Sequence, residues 1–448
     1  MLPVISELRT LLKISLPLAF ANLGWVATGV TDSIFIGRLG PDVLGATGLA
    51  LSVFFIIRSI GGGMLFPVMV LVSQARGADQ LQMVPEIVRQ GIWVAGMISV
   101  PGCAILWNME SMLIWASQDT AIVQLAGQYM DYYLWTMFPS LASHVFILAL
   151  IAMERTGRIA FVTWFLMGLN IILDYVLIFG KLGLPAMGVA GAGLASLIVS
   201  GIWLVLFGLL AAHIFSRSGN TLFYHTWRPR WTMVGKILRL GWPKGLGTMM
   251  ERGLSSVIVF LAGLMGVQAI SSHAIAFQIY LLVSVVVLMA VAGAVTTRMG
   301  VAHGQGNRIA MWGILNGGFG LLLLFMLPLM IVFWGFPELV VILFVGSETP
   351  EARAIVPLAS SLVMVSGLYV IVYGVCFVIG NALNGLSDMK IPTLLAASIY
   401  WGICLPSAAI FGFLMDWGIL GLWAGLIVGM AILFLSYLVR FRVMVRRL

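Results

Sequence analysis

Charge is what this chain has least of. Only 9% of its 448 residues are Asp, Glu, Lys or Arg, against about 25% in a soluble globular domain. Four windows (Leu182–Ser216, Ile309–Pro337, Ile391–Met415 and Trp417–Val439) hold no charged residue at all. Each is long enough for at least one helix to cross a hydrocarbon core about 30 Å thick. Cysteine is scarce too. Cys103, Cys376 and Cys404 lie in apolar runs without CxxC spacing, which speaks against a metal centre or disulfide and for buried, inert thiols. The apolar-out, polar-in alternation of a membrane β-barrel is missing, which excludes that class. No GxxxxGK[ST] loop is present to hold ATP, and neither HExxH nor GxSxG occurs. With so few polar residues there is little from which to build a hydrolytic site, so the chain is expected not to be an enzyme and to need no cofactor. No small-residue cleavage site follows a short apolar core at the N-terminus, so the first apolar run is expected to be a retained helix.

What is abundant is apolar sequence, 61% by count. The runs predict an all-α polytopic membrane protein with about twelve spans, roughly 12–36, 43–73, 88–109, 119–152, 159–180, 187–214, 233–263, 267–298, 309–335, 353–386, 391–414 and 417–440. With the N-terminus placed in the cytoplasm, eighteen Lys and Arg fall in inner segments, from Arg9 and Lys13 to Arg446 and Arg447. Only Arg38, Lys181 and Arg353 fall outside. The positive-inside rule therefore predicts both termini in the cytoplasm of a cell (inner) membrane. It also explains the net charge of +8 without nucleic acid as a partner. Acids such as Asp42, Glu110, Asp119, Glu338, Glu348, Glu351 and Asp416 fall on the outer side instead.

The longest polar link, residues 216–232, divides the chain into residues 1–215 and 233–448, six spans each. The halves resemble each other. Pro17 and Gly40 precede Pro243 and Gly266 by the same 226 residues, and Phe179–Gly180, Gly188 and Gly191 are answered by Phe411–Gly412, Gly418 and Gly421. Six spans per half leave both in the same orientation, a parallel repeat of the kind found in transporters, whose sites lie at or beside the junction of the halves.

Three acids sit well inside spans: Asp32, Asp174 and Glu251. Such a residue costs roughly 2.5–3.5 kcal/mol at a span centre on insertion scales, so it normally faces the protein interior or a wet cavity and serves a function. Asp32 shares its helical face with Trp25 and Thr28, and Asn170 and Asp174 share another at i and i+4. If those faces meet, two carboxylates and an amide converge. Two carboxylates held together in low dielectric can share a proton, and the same oxygens would suit Na⁺. The plainer alternative is that both acids pair with a buried cation, for which Arg58 is the candidate. Glu251 is the lone acid inside a span of the second half, with Lys244 seven residues earlier on its face as a rival ion-pair partner. Trp25, Tyr129, Tyr132, Tyr133 and Phe277, and beside them Thr28 and Gln278, could line a cavity for flat hydrophobic cations through cation–π contact. His144 and His273 are expected to be satisfied buried histidines.

In order along the chain, these residues resemble the multidrug and toxic compound extrusion (MATE) family. The likeness rests on LLKISLPLAFANLGWVATGVTDSIFIGRLG with Pro17 and Asp32, ARG at 75–77, MERTGR at 153–158, the NxxLDYxxIFG form at 170–180 and NALNGLSDMKIP at 381–392. It covers essentially the whole chain. The resemblance implies V-shaped lobes, alternating access and antiport of organic cations against H⁺ or Na⁺. It also implies that Asp32, Asn170 and Asp174 match the ion site of the DinF-like branch, and that Asp32 and Glu251 match acids of the NorM-like branch. Where a NorM-type chain carries a second acid in span ten, this one has Tyr373, which favours proton coupling through the first half. A lipid-intermediate flippase of the same superfamily is the alternative. Expected partners are small organic cations and the lipid bilayer, with no ATP, and the expected state is a monomer.

Overall fold

A computed structural model describes residues 2–217, 219, 222, 227–346 and 350–447. Side chains of 2–5, 351 and 352 lie outside that description, as do Glu348 and most of the predicted 216–232 link. The described residues are helical almost throughout, and no strand occurs among them. Twelve long helices follow in order: α1 (Leu2–Gly37), α2 (Pro41–Gly77), α3 (Leu81–Trp107), α4 (Thr120–Ala152), α5 (Thr156–Phe179), α6 (Gly188–Ser216), α7 (Trp231–Leu264), α8 (Val267–Gly304), α9 (Arg308–Gly335), α10 (Pro350–Gly385), α11 (Lys390–Leu414) and α12 (Gly418–Arg447). Eleven are long and apolar enough to cross a membrane. The twelfth, α7, carries Lys236, Arg239, Lys244, Glu251 and Arg252 along its length, which lowers its apolarity without shortening it.

The predicted spans and observed helices agree in number, and they differ at the ends. α1 begins ten residues earlier than its apolar run because Glu7 is anchored, its carboxylate accepting from the Arg298 guanidinium at 2.8 and 3.2 Å. α8 runs on to Gly304. Two short helices, Met109–Trp115 and Pro337–Val345, were not visible as periodic patterns. They occupy matching places, between α3 and α4 and between α9 and α10.

The repeat is written in the backbone. Positive φ recurs in pairs at matching turns: Gly40 and Gly266, Asp79 and Gly306, Ser117 and Gly346, Glu154 and Ser387, Leu182 and Asp416, Gly188 and Gly418. Among the described residues only Gly180, Gly183 and Gly219 lack a counterpart. A non-glycine residue in this region is uncommon, so six shared positions reflect shared chain paths. Two glycine contacts repeat as well. A Cβ on Gly191 would lie 2.6 Å from the Leu177 carbonyl oxygen, and one on Gly421 would lie 2.5 Å from that of Phe411. Small residues there let α5 approach α6, and α11 approach α12, at backbone distance.

The chain forms two compact units, Phe20–Gly245 and Met1–Ala19 with Leu246–Leu448. The first part of α7 packs within the unit of α2–α6. Gly245 faces Ile60 and Met64 of α2, and a Cβ on Gly63 would sit 3.1 Å from the Gly245 Cα. The first part of α1 packs within the other unit, where Leu11 is fully buried beside Gly317. Both boundaries fall two residues after a helix-internal proline, Pro17 and Pro243.

The described end of the link is strapped to α3. Trp93 Nε1 donates to the Trp227 carbonyl at 3.0 Å, Gln90 donates to the Arg228 carbonyl and accepts from the Arg230 amide, and Arg230 forms a forked ion pair with Glu86 at 2.8 and 2.9 Å. Arg89 donates to the carbonyl of the buried Leu222 at 3.1 Å.

Candidate functional site

Within the unit Phe20–Gly245, the second part of α1 lies against α5. Phe20 stacks on Trp164, with ring centres 4.9 Å apart, and its carbonyl accepts from Trp164 Nε1 at 3.0 Å. Gly24 leaves room for that indole. Further along the same pair of helices, Phe35 meets Phe179. Between these aromatic contacts the two acidic faces come together.

There the Asp32 and Asp174 carboxyls come within hydrogen-bond reach of each other. Asn170 Nδ2 donates to Asp174 Oδ2 at 3.1 Å, one helical turn away on α5. Asp174 and Asn170 are almost wholly buried, at 1% and 2% exposure. The second oxygen of Asp32, Oδ1, is buried without a hydrogen-bond partner. Two carboxylates offer acceptors only, so a hydrogen bond between carboxyls this close would need a proton on one of them. The unsatisfied oxygen is an open acceptor in a low-dielectric setting, where an unmade hydrogen bond is costly. The cluster can therefore take up and release a proton, and its oxygens could hold a small cation.

Two tyrosines of α4 stand near the pair. Tyr129 and Tyr133 stack with ring centres 4.8 Å apart, their hydroxyls hydrogen-bonded to each other and that of Tyr129 also to Ser196. Both lie within electrostatic reach of Asp32. Phe54 closes edge-on against Tyr133 at 4.7 Å.

Arg58 is not the partner of this pair. Among the described residues no ion pair joins it to Asp32 or Asp174. Its guanidinium lies 5.9 Å from the ring centre of Trp25, in cation–π range. Trp25 is thereby occupied by a cation of the protein itself. Thr28 bonds the Gly24 carbonyl of its own helix. Tyr132 is half-buried beside Gly193. Asp131 and Gln278 are exposed, so neither joins a buried cluster.

In the other unit Glu251 is held by a hydrogen bond. Tyr373 donates its phenol to Glu251 Oε1 at 2.6 Å, the short distance expected of a hydroxyl on a carboxylate. Tyr373 is hydrogen-bonded in turn to Tyr280, and Tyr280 to Ser284, the first residue of a π-helical turn in α8. Tyr373 stacks on Tyr369 and Phe377, with Tyr280 edge-on. The residue that replaces the expected second acid thus holds the first one. Lys244 lies 5.3 Å from the Phe66 ring centre. Trp423, Tyr280, Tyr369 and Ser196 were not singled out from sequence. The one available signal was the repeated aromatic at four-residue spacing, Tyr369, Tyr373 and Phe377.

An all-helical membrane fold with a duplicated six-helix plan and intramembrane acids defines a membrane transporter. The MatE family signature matches residues 17–176 and 243–410, once in each half. The chain belongs to this family, whose members are transporters and not enzymes. It is 32% identical over 433 residues to a probable multidrug resistance protein NorM of Rhizobium meliloti (strain 1021), covering 95% of this chain and 91% of that one. It is 30% identical over 447 residues to a protein of the same name from Synechocystis, covering 99% and 96%. In fold it is similar to the eukaryotic MATE transporter AtDTX14, with a TM-score of 0.85 at 19% identity and coverage of 99% and 98%. It is likewise similar to the Vibrio cholerae MATE transporter VcmN in its bent form, with a TM-score of 0.85 at 18% identity and coverage of 100% and 99%.

Proposed function

We propose that this chain is a secondary active multidrug exporter that antiports organic, mostly cationic, compounds against H⁺, with Asp32 as the coupling carboxylate and Asp174 and Asn170 as its supports. One observation supports the reading: the Asp32 and Asp174 carboxyls lie within hydrogen-bond reach of each other, close enough to share a proton, next to an Asp32 oxygen that has no partner. The names of the multidrug resistance relatives support the substrate class. Na⁺ is the other candidate ion, since carboxylate and amide oxygens also suit it. The excess of Lys and Arg on one side supports cytoplasmic termini in the inner membrane. A monomer, with no ATP consumed on this chain, completes the proposal.

In this mechanism a proton arriving from outside neutralises the carboxylate pair. That removes the negative charge that attracts a cationic compound, and the compound leaves. Opening to the cytoplasm releases the proton and restores the charge. Proton and drug therefore antagonise each other, as any exchange requires, because a ligand shifts access only through its differential affinity for the two states.

Proteoliposomes separate the possibilities. An imposed pH gradient is expected to drive tetraphenylphosphonium efflux, and Asp32→Asn to lower that efflux about tenfold or more, the scale of a coupling free energy of 1–3 kcal/mol. Efflux that responds to a Na⁺ gradient alone overturns the proton assignment. Full efflux by Asp32→Asn overturns the role of Asp32.

A further inference from the structure

The first part of α7 carries a surface that the matching stretch of α1 lacks. Trp231, Thr232, Gly235, Lys236, Arg239 and Trp242 are all exposed. On a helix of 3.6 residues per turn they fall within one arc of about 140°. Val234, Ile237 and Gly241 take the opposite arc and are buried, with Gly241 against the Met64 backbone of α2. At the equivalent places 226 residues earlier, α1 has Ile5 for Trp231, Thr10 for Lys236, Lys13 for Arg239 and Leu16 for Trp242. The shared backbone path therefore does not require this surface.

The strap on α3 extends it. Trp93 and Trp227, joined by the bond from indole to carbonyl, are both exposed, as are Arg228 and Arg230. The sequence has no acid from Trp227 to Met250, and α3 has one, Glu86. Arg230 answers Glu86 through Nη1 alone. Its side chain is 68% exposed, and a guanidinium has further N–H donors to offer on Nε and Nη2. Among the described residues Arg228, Lys236 and Arg239 have no ion-pair partner. The surface is thus positive, its one neighbouring carboxylate is already taken, and indole rings border it. Indoles settle at the boundary of water and hydrocarbon, and Lys and Arg stems lie along apolar surface while the charged heads reach the polar side. An anion that also carries acyl chains satisfies both halves of this surface.

We propose that Arg228, Arg230, Lys236 and Arg239 hold the headgroup phosphate of an anionic phospholipid, with the Trp227 and Trp231 rings at headgroup level. A lipid held there touches both the strap, which is bonded to α3, and the first turns of α7. It therefore fixes the entry of the second half against the first unit's own helices. The site depends neither on the transported compound nor on the coupling ion.

Native mass spectrometry of the purified full chain tests it, by counting the lipids retained from an equimolar mixture of phosphatidylglycerol and phosphatidylcholine. One cation near an anionic membrane surface contributes about fivefold, so wild-type protein is expected to retain phosphatidylglycerol at least about tenfold over phosphatidylcholine. The combined change Arg228→Gln, Lys236→Gln and Arg239→Gln is expected to bring that ratio below about threefold. A control with Arg442→Gln, Arg446→Gln and Arg447→Gln in α12 removes the same charge elsewhere and is expected to keep the ratio. Because the readout is a ratio of two lipids on one protein, a general loss of stability cancels. Soluble glycerol 3-phosphate in millimolar excess is expected to leave the lipid in place. A wild-type ratio near one overturns the site, and so does a ratio that the first triple change leaves intact. An equal fall in the control also overturns it, by showing that surface charge in general sets the preference. Displacement by glycerol 3-phosphate overturns the lipid as occupant in favour of a free phosphate compound.

Discussion

At the scale of residues, the two units treat their acids differently. Asp32 meets a second carboxyl and keeps an open oxygen, an arrangement suited to exchange of a proton. Glu251 instead accepts a hydrogen bond from the phenol of Tyr373. Tyr373→Phe removes that donor and leaves a carboxylate oxygen in an apolar, aromatic setting. It is expected to lower stability by about 1 kcal/mol, since Glu251 is half-buried and loses one hydrogen bond, and a reduced melting temperature of the detergent-solubilised protein checks it. An unchanged melting temperature would mean that Glu251 finds another partner at no cost. Arg58 shows how residue type alone can mislead. A guanidinium in a span that also holds aromatic and acidic faces nearby has two kinds of partner to choose from, and here it takes the Trp25 face.

At the scale of elements, close helix contacts do the positioning. Asp32 reaches Asp174 because Gly24 admits the Trp164 indole and brings α1 onto α5. The matching glycines Gly191 and Gly421 set the spacing of α5–α6 and α11–α12. Gly421→Val would drive a side chain into the Phe411 backbone, which cannot yield as a flexible side chain would. Overpacking of this kind costs about 1–3 kcal/mol, and lower yield of monodisperse protein on size-exclusion chromatography after mild heating is the expected result. Two π-helical turns in α11, Tyr400–Cys404 and Ile410–Leu414, and one in α8 have no counterpart among the described residues of the first half. A π turn winds one more residue than an α turn and recurs at functional sites. The α8 turn begins at Ser284, next to the Tyr280–Tyr373–Glu251 chain.

At the scale of the molecule, the duplicated path of the backbone explains how one membrane plan was used twice while the chemistry diverged. The first half keeps a carboxylate pair; the second has an aromatic cluster and a phenol-bound acid. The orientation proposed from charge asymmetry has a direct check. Single cysteines placed at Asp119 and Arg155, in a background lacking Cys103, Cys376 and Cys404, are expected to label with an impermeant maleimide from outside and only after permeabilisation, respectively. The reverse pattern would invert the proposed direction of the proton's path. All three native cysteines are at least partly buried and unpaired, so their replacement is a mild change.

The membrane class, the helix count, the repeat and the pairing of Asn170 with Asp174 all follow from the order of residues. Each depends on composition, on a period of 3.6 residues or on a fixed spacing, and none needs a distant partner. What only the tertiary structure decided was which faces meet. Asp32 and Asp174 are 142 residues apart in sequence, Glu251 and Tyr373 are 122 apart, and Trp423 and His273 are 150 apart. In a chain this apolar nearly every helix face can be buried, so hydrophobic patterning does not rank one pairing above another. Backbone-distance approaches at a few small residues, and the hydrogen bonds that bury polar atoms without water, selected among them. That selection turned Asp32 from an isolated acid into half of a carboxyl pair. It also left one nitrogen of His273 bound to Trp423 and the other buried without a partner.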